Sequence, residues 1–374
     1  MKFCFVTDTP LELRPHLMRL VSWLLSEGHE VNVFSIGGSK RVSTINPNPE
    51  FGNQPNMFIL EGSRKGRLGI IINILRLNRV IRQNIKKWDF VIICHPYMLL
   101  TPLSLLRRHS KIIYYSAEIW DGLRLLHLSM IERFRIRLVD ALIVPLGGRA
   151  DYIKQKYNIP QKPSFILPNS TYDYYENVVE SVARKRSRTG PLIFVYQGTS
   201  NIKRRHLDTI IRVFGNLSEP VELIMALGGE KSFIESIKTY AQEQKYSSNI
   251  EFSDFIQYPH HFRMTFDCDV GIMLYNENIS INYKLCAPNK IYEYAMLGLP
   301  VISSRQPHLV DTIEGNEFGL CIDPTNDDEF RVAVLEFLDR RKIIAMGENA
   351  RSWYLREGNY PIHGQEILKW FNKI

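Results

Sequence analysis

A carboxylate and an ammonium group, Glu293 and Lys290, lie close together in the stretch CAPNKIYEYAMLGLPVISS. Asn289 directly precedes them and suits an N-cap, so the pattern predicts that a helix begins here. About one turn inside such a helix, the Glu293 carboxylate stays ionised and can accept hydrogen bonds from two vicinal hydroxyls. The helix start, with Lys290, offers free N–H groups and positive charge to a phosphate. A ribose diol beside a diphosphate describes a nucleotide-sugar.

The elements that must position these side chains are a loop, a short helix and a buried strand. Pro288 fixes the entry of the chain, and the helix is predicted over Lys290–Leu297. It ends at Gly298, which can adopt the left-handed conformation, and it cannot continue past Pro300. Val301–Ser303 follows as a predicted parallel strand buried on both faces. The alternative for this stretch is a surface helix and a core strand without a ligand.

The same stretch resembles the signature of the retaining glycosyltransferases with the GT-B fold, in the group known as family four. The matching residues are Pro288, Lys290, Glu293, Tyr294, Gly298, Pro300, Val301 and Ile302. The resemblance implies that Glu293 contacts the donor ribose, and we predict further donor contacts at Asn289 and Ile291 beside Lys290. Many members carry a second Glu eight positions earlier, near the sugar hydroxyls. Leu285 occupies that position here, so this role is unassigned.

A second signal follows the next predicted strand upstream, in the run YQGTSNIKRRHLDTIIRVF. This run resembles the family segment in which a Gly at the strand end admits the sugar phosphate and a basic residue holds the diphosphate. The resemblance gives Gly198 the first role, with Thr199 beside it. Arg205 is the closest match for the second role, with Lys203 and Arg204 as neighbours. A charge run is often only a solvated face, but a strand-to-helix turn favours phosphate.

Further predicted donor contacts lie between these two signals. The strand Glu222–Leu227 is followed by Gly228, and Phe255 opens a turn where family members contact the base through backbone groups. The polar loop Tyr275–Tyr283 is predicted to contact the donor sugar.

Asp323–Asp328 is acidic, but its Thr-Asn-Asp run is typical of helix capping rather than of a metal site.

The first half of the chain supplies two candidate catalytic groups, His95 and Glu118, which follow predicted strands. Ligands of open α/β sheets bind at the carboxyl ends of strands. The phrase IIYYSAEIW resembles a family segment in which Glu118 matches the family Glu, whereas Ala117 stands where the family has a His. A structural role is the alternative for His95. Arg205 and Lys290 complete the predicted catalytic set.

The first half of the chain is also strongly basic. Residues 1–170 hold 24 Lys and Arg against 12 Asp and Glu, whereas the remainder holds 23 against 27. Ser63–Trp88 predicts an amphipathic helix with a basic rim and no acidic residue, and Arg124–Val139 predicts a second basic helix. Such helices can lie on an anionic membrane surface. The alternative is a crossover helix that packs on a sheet and has a solvated rim.

Length and composition limit the classes of protein. The 374 residues suffice for two domains, and no apolar run approaches the ~20 residues of a membrane span. The five cysteines have no metal-ligand spacing, and Lys2–Thr7 predicts a strand rather than a signal peptide. We therefore predict a cytoplasmic protein, at the inner face of the membrane if the basic half binds lipid. No metal, cofactor or nucleic acid is predicted besides the donor.

Strands and helices alternate through both halves, which predicts an α/β fold. In the first half, apolar periodicity predicts helices over Pro15–Ser26 and Leu99–Arg108, and a Gly, Ser, Asn and Pro-rich run predicts a loop over Ile36–Asn56. The resemblance implies GT-B, with two facing Rossmann-like domains and a cleft between them. We predict an acceptor-side domain over 1–170, a linker over 171–190 and a donor domain over 191–355. The segment 356–374 is predicted to form a C-terminal helix that crosses back to the first domain.

The resemblance implies a hexosyltransferase that uses a nucleotide-diphosphate sugar, UDP favoured over GDP, and a glycan or lipid-linked acceptor in cell-surface polysaccharide synthesis. No Asp-x-Asp pair stands where a donor site would need a metal, so Arg205, Lys290 and helix N-termini must stabilise the leaving diphosphate. Two alternatives stay open: a sugar-nucleotide 2-epimerase of the same fold, and a non-catalytic nucleotide-sugar-binding protein. A dehydrogenase is not predicted, because no Gly-x-Gly-x-x-Gly follows a strand.

Overall fold

The computed structural model describes residues 1–37, 55–60, 67–84, 87–122, 125–174, 189–256 and 260–374. They form two compact units, residues 1–169 with 363–374 and residues 170–362. Parts of four predicted segments lie outside the described residues. These are most of the loop Ile36–Asn56, residues 63–66 and 85–86 of the basic segment Ser63–Trp88, residue 124 of the segment Arg124–Val139, and most of the linker 171–190.

The first unit contains a seven-stranded parallel sheet with the order β3-β2-β1-β4-β5-β6-β7. Its strands are β1 (Lys2–Thr7), β2 (Glu30–Ile36), β3 (Asn56–Leu60), β4 (Phe90–Cys94), β5 (Lys111–Tyr115), β6 (Ala141–Val144) and β7 (Ser164–Ile166). Its described helices are α1 (Pro15–Ser26), α2 (Arg67–Gln83), α3 (Leu103–Leu106), α4 (Leu126–Arg135) and α5 (Gly147–Tyr157). The central strands are apolar along their length because a parallel sheet is covered on both faces.

Two predicted helices of this unit are interrupted. The prediction of one helix after β4, over Leu99–Arg108, was wrong: a 3-10 turn spans Pro96–Leu100 and α3 follows it. Pro102 separates them because proline lacks an N–H and disfavours a helical residue before it. The predicted basic helix Arg124–Val139 is likewise shorter, since α4 gives way to the 3-10 turn Ile136–Leu138.

The second unit contains a six-stranded parallel sheet with the order β10-β9-β8-β11-β12-β13. Its strands are β8 (Leu192–Thr199), β9 (Val221–Gly228), β10 (Ile250–Ser253), β11 (Val270–Met273), β12 (Val301–Ser304) and β13 (Gly319–Ile322). The helices are α6 (Ile202–Arg205), α7 (Leu207–Phe214), α8 (Lys231–Gln242), α9 (Phe262–Phe266), α10 (Ile281–Lys284), α11 (Lys290–Met296), α12 (Pro307–Ile313), α13 (Asp327–Glu336) and α14 (Arg340–Trp353). The two Rossmann-like sheets confirm the predicted α/β class.

The signature stretch folds close to its prediction. Helix α11 ends just before Gly298, which has φ +64°, and β12 is buried between β11 and β13. The ring of Tyr294 packs against Gly271 of β11, where a Cβ would overlap it. One detail was wrong: Asn289 precedes the helix in a helical conformation, and its side chain does not cap the helix.

The end of the chain returns to the first unit. A π-helical turn at Tyr354–Gly358 leads into α15 (Tyr360–Phe371), whose residues from His363 onward belong to that unit. The ring of Phe371 lies 5.0 Å from that of Phe3 in β1, and Gly364 packs on the indole of Trp23. Within the described residues, no helix has the length and apolar character needed to cross a membrane.

Candidate functional site

The strand order of the second unit locates a ligand site. Strands β9 and β10 lie beyond β8, whereas β12 and β13 lie beyond β11, so the winding direction reverses between β8 and β11. Ligands of open α/β sheets bind outside the carboxyl ends of the strands at such a reversal. The residues found there are Gly198 and Thr199 at the end of β8, and Tyr275 shortly after β11.

Gly198 brings the first predicted segment against the second. Its φ of +156° is one that residues with a Cβ rarely adopt. A Cβ added there would lie 3.0 Å from the Tyr196 hydroxyl and 3.7 Å from Cε of Lys290. The end of β8 and the start of α11 therefore meet at Gly198, as a shared phosphate site requires.

The Lys290 side chain is placed among charged groups. Burial lowers its pKa, Glu293 acts in the opposite direction, and Arg205 lowers the pKa further. The three groups are thus close enough to influence one another electrostatically. Two cations beside one carboxylate leave an excess of positive charge, which suits a diphosphate.

The Arg205 guanidinium is held by aromatic rings. It lies 4.2 Å from the ring centre of Tyr275 and 5.7 Å from that of Tyr283. Within the described part of the chain, no carboxylate lies within salt-bridge distance of Arg205. Stacking fixes the plane of the guanidinium while its N–H donors stay available to a ligand. The sequence pattern did not indicate these two tyrosines as partners of Arg205.

Lys203, Arg204 and Arg205 lie in the single turn of α6, which precedes α7. Asn201 caps this turn, and His206 ends it with φ +49°. The loop after β11 is tied to the same turn, because Asn276 donates hydrogen bonds to the carbonyls of Lys203 (3.0 Å) and Arg204 (3.2 Å). The side chains of Lys203 and Arg204 are exposed.

Glu293 is paired with a histidine that the sequence analysis did not identify. The Nε2 atom of His261 lies 3.4 Å from Oε2 of Glu293, and both side chains are buried. The main chain of His261 is held by Thr265, which in turn is hydrogen-bonded to Gln197 of β8. His261 precedes α9 in a segment without a recognisable motif, so only the fold brings it to Glu293.

The two remaining predicted donor contacts on α11, Ile291 and Asn289, differ in their exposure. The Ile291 side chain is 4% exposed and packs in the apolar core of the unit, so it presents no side-chain contact to a ligand. Its predicted donor contact is therefore limited to the backbone. Asn289 is partly exposed at the start of α11.

Three predicted donor-contact residues, Thr199, Gly228 and Phe255, lie together at the ends of β8, β9 and β10. Thr199 faces Gly228 in the strand register, and a Cβ on Gly228 would lie 2.9 Å from the Phe255 ring. The ring is 54% exposed although it packs on this glycine. The Phe255 ring thus packs on Gly228 and stays accessible to a flat ligand.

A cavity of about 260 Å³ lies on the other side of Tyr275, at the carboxyl ends of β11, β12 and β13. Gln306 fixes its floor by donating to the Tyr275 carbonyl (3.2 Å) and accepting from Ser304 (2.8 Å). His206 also lines it, and Nε2 of His206 is buried without a hydrogen-bond partner among the described residues. Polar side chains and one ring edge suit a hydroxylated ligand such as a sugar.

The acidic run before α13 has the predicted capping role. Asn326 accepts a hydrogen bond from the backbone N–H of Glu329 (3.1 Å). Among the described residues, no group of three or more His, Cys, Asp and Glu side chains is placed to hold a metal ion.

His95 and Glu118 line one small pocket of the first unit, beside Arg14. Tyr97 N–H donates to Nδ1 of His95 (3.2 Å), so the ring proton is assigned to Nε2, which lies 3.6 Å from Asp8. Burial lowers the pKa of His95 to about 4. His95 is therefore a neutral donor and not a proton acceptor in this arrangement. The Glu118 side chain is exposed.

Comparison with known proteins identifies the family of the two halves of the chain. Residues 14–171 match the family model described as Glycosyltransferase Family 4, and residues 179–353 match the one described as Glycosyl transferases group 1. No curated protein matches the sequence.

Several solved structures share the fold over the whole chain. Sucrose-phosphate synthase from Thermosynechococcus elongatus has a TM-score of 0.76 at 12% identity, covering 100% of this chain and 99% of its own. A glycosyltransferase from Rickettsia africae has a TM-score of 0.74 at 12% identity (100% and 98%). HepE from Anabaena, solved with UDP-glucose, has a TM-score of 0.71 at 14% identity (100% of both). With the two family models, these findings show that the chain is a glycosyltransferase of the GT-B fold, similar to family four.

Proposed function

We propose that this enzyme transfers a hexose from a UDP-sugar to a glycan or lipid-linked acceptor in the synthesis of a cell-surface polysaccharide. The observation that carries the proposal is the meeting of Lys290, Glu293 and Gly198 at the point where the second sheet reverses. Arg205 adds a fixed cation at the same edge. This combination of groups matches a ribose diol joined to a diphosphate.

The diphosphate is proposed to bind between Arg205 and Lys290. As the bond to the sugar breaks, negative charge grows on the leaving phosphate, and preorganised cations stabilise that charge. Arg205 is preorganised because Tyr275 fixes its plane. We therefore propose a transfer in which these two side chains, rather than a metal, meet the leaving group.

The nucleoside is proposed to lie across Glu293 and Phe255. The carboxylate accepts from the ribose hydroxyls, while the exposed face of Phe255 and the backbone at Gly228 meet the base. UDP is favoured over GDP because HepE from Anabaena, which shares the fold, was solved with UDP-glucose.

The hexose is proposed to occupy the cavity beside Tyr275 and Asn276, next to the diphosphate site. The acceptor hydroxyl then attacks the anomeric carbon, the bond to the diphosphate breaks, and the departing phosphate takes the acceptor's proton. His95 suits this course because it can donate a hydrogen bond but has no free acceptor nitrogen. Retention of anomeric configuration is proposed from the family resemblance.

The test is incubation of the purified protein with UDP-glucose, UDP-galactose and GDP-mannose, with and without glycan acceptors. Nucleotide released only when an acceptor is present supports the transferase. Epimerised sugar would indicate the 2-epimerase instead. Binding without turnover for every donor and acceptor would contradict the proposed reaction.

We also propose that the basic first unit contacts an anionic membrane, which would place the enzyme at the cytoplasmic face. Helix α2 supports this contact, since Arg76, Arg79 and Arg82 are exposed and its sequence contains no acidic residue. A lipid-linked acceptor would be reached at such a surface.

A further inference from the structure

An apolar stripe on α4 is left uncovered in the first unit. Leu126, Met130 and Phe134 recur every four residues, and Leu138 continues the row in the following 3-10 turn. All four are exposed, Phe134 at 68%. Residues four apart lie on one face of a helix. This face is therefore not the one that packs on the sheet.

Exposed apolar residues also lie on neighbouring elements. Helix α2 exposes Ile71 and Leu75, and the 3-10 turn between the two helices exposes Leu100. Asn78 of α2 donates to the Leu100 carbonyl (3.4 Å), and Arg135 of α4 donates to the Leu99 carbonyl (3.0 Å). The α2–α4 patch is defined by its exposed apolar residues Ile71, Leu75, Leu100, Leu126, Met130, Phe134 and Leu138.

Among the described side chains of α2, α4 and the turn after α4, the exposed charged ones are all positive. They are Arg76, Arg79, Arg82, Arg133 and Arg137. Helix α2 has no acidic residue, and the one acid of α4, Glu132, is buried. Glu132 accepts hydrogen bonds of 2.6 Å from the hydroxyls of Tyr114 and Tyr157. It therefore does not offset the outward positive charge.

We propose that the α2–α4 patch is the surface by which this enzyme docks on an anionic lipid bilayer, an inference that rests on the membrane contact proposed above. Apolar side chains insert at the acyl boundary, and the arginines meet headgroup phosphates. Large exposed apolar patches mark interaction sites. A second copy of the chain is a poorer partner, because pairing two such patches would oppose two sets of arginines.

The experiment compares the wild type with M130S/F134S in co-sedimentation with phosphatidylcholine vesicles containing about one third phosphatidylglycerol. The matched control is Phe233→Ser, since Phe233 is 56% exposed on α8 of the other unit. We expect about a tenfold loss of vesicle binding for M130S/F134S and none for Phe233→Ser. Binding by the wild type should also weaken as salt is raised. Thermal unfolding checks that each variant folds.

Each other outcome overturns the assignment. If M130S/F134S binds vesicles as the wild type does, the membrane contact stands but this surface is not responsible for it. If the wild type binds pure phosphatidylcholine vesicles as strongly as the anionic ones, anionic lipid is not the partner of the patch. A wild-type dimer that the substitutions dissociate, without vesicle binding, would make the patch a self-association surface. UDP binding measured without vesicles tests the donor proposal separately, so either proposal can fail alone.

Discussion

Nε2 of His261 lies 3.4 Å from Oε2 of Glu293, and less than a tenth of either residue is exposed. An imidazole in contact with one carboxylate oxygen restricts the plane of the carboxylate. A carboxylate that is ordered before the ligand binds reduces the free-energy cost of binding. His261 is thus a positioning residue for the proposed ribose contact.

Replacement of His261 should therefore weaken UDP binding without abolishing it. We expect His261→Ala to raise the Kd for UDP about tenfold, and His261→Gln, which retains a donor, to recover part of the loss. Isothermal titration calorimetry measures both. Equal affinities for the two variants would mean that the ring only fills space.

Glu293→Ala should weaken UDP binding by about 1–3 kcal/mol, because the ribose hydroxyls lose their acceptor. The control is 2′,3′-dideoxy-UDP, which lacks both hydroxyls. The substitution should leave the affinity for this analogue nearly unchanged. If both ligands lose the same binding free energy, Glu293 does not contact the ribose.

Arg205→Met should lower kcat by roughly a hundredfold, since the leaving diphosphate loses a preorganised cation. Arg204→Met is the matched control, because the Arg204 side chain is exposed beside Arg205. The substitution keeps the Arg204 carbonyl, which accepts a hydrogen bond from the backbone N–H of Asn276. Steady-state kinetics with the identified donor compare the two variants. A loss as large for Arg204→Met would transfer the role to the neighbouring residue.

Glu132 should make stability depend on pH. Burial raises its pKa to about 7 in the folded protein, against about 4.5 when unfolded. Between these values the folded state holds a proton that the unfolded state has released, so the free energy of unfolding falls as pH rises. Above pH 7 this contribution is lost. The wild type should therefore lose about 2–3 kcal/mol between pH 5 and 8 relative to Glu132→Gln.

The measurement is chemical unfolding of both proteins at several pH values. Glutamine retains the shape and can still pair with the hydroxyls of Tyr114 and Tyr157, so it removes only the titration. Parallel pH profiles for the two proteins would contradict a raised pKa at Glu132.

Local signals predicted the elements well. Helix α1 has the predicted bounds Pro15–Ser26, because proline at its first position and Gly28 after it mark both ends. The predicted helix after β4 failed because apolar periodicity outweighed the effect of Pro102. The sequence also predicted that Glu293 would lie in the first turn of a short helix, as it does in α11.

The parts of the site that were missed depend on long-range contacts. His261 reaches Glu293, and Tyr275 reaches Arg205, across distances in sequence that no local pattern spans. The α2–α4 patch was missed for another reason. Periodicity shows that α4 has an apolar face, but only the packing of Leu128 and Glu132 shows which side is covered.

The first unit is assembled from both ends of the chain, since Phe371 packs against the rings of Phe3 (5.0 Å) and Phe90 (4.9 Å). The ribosome makes residues 170–362 between these partners. During synthesis, the second unit can fold before the first unit has all of its aromatic residues. The second unit can therefore complete its fold before the first, although most of the first is translated earlier.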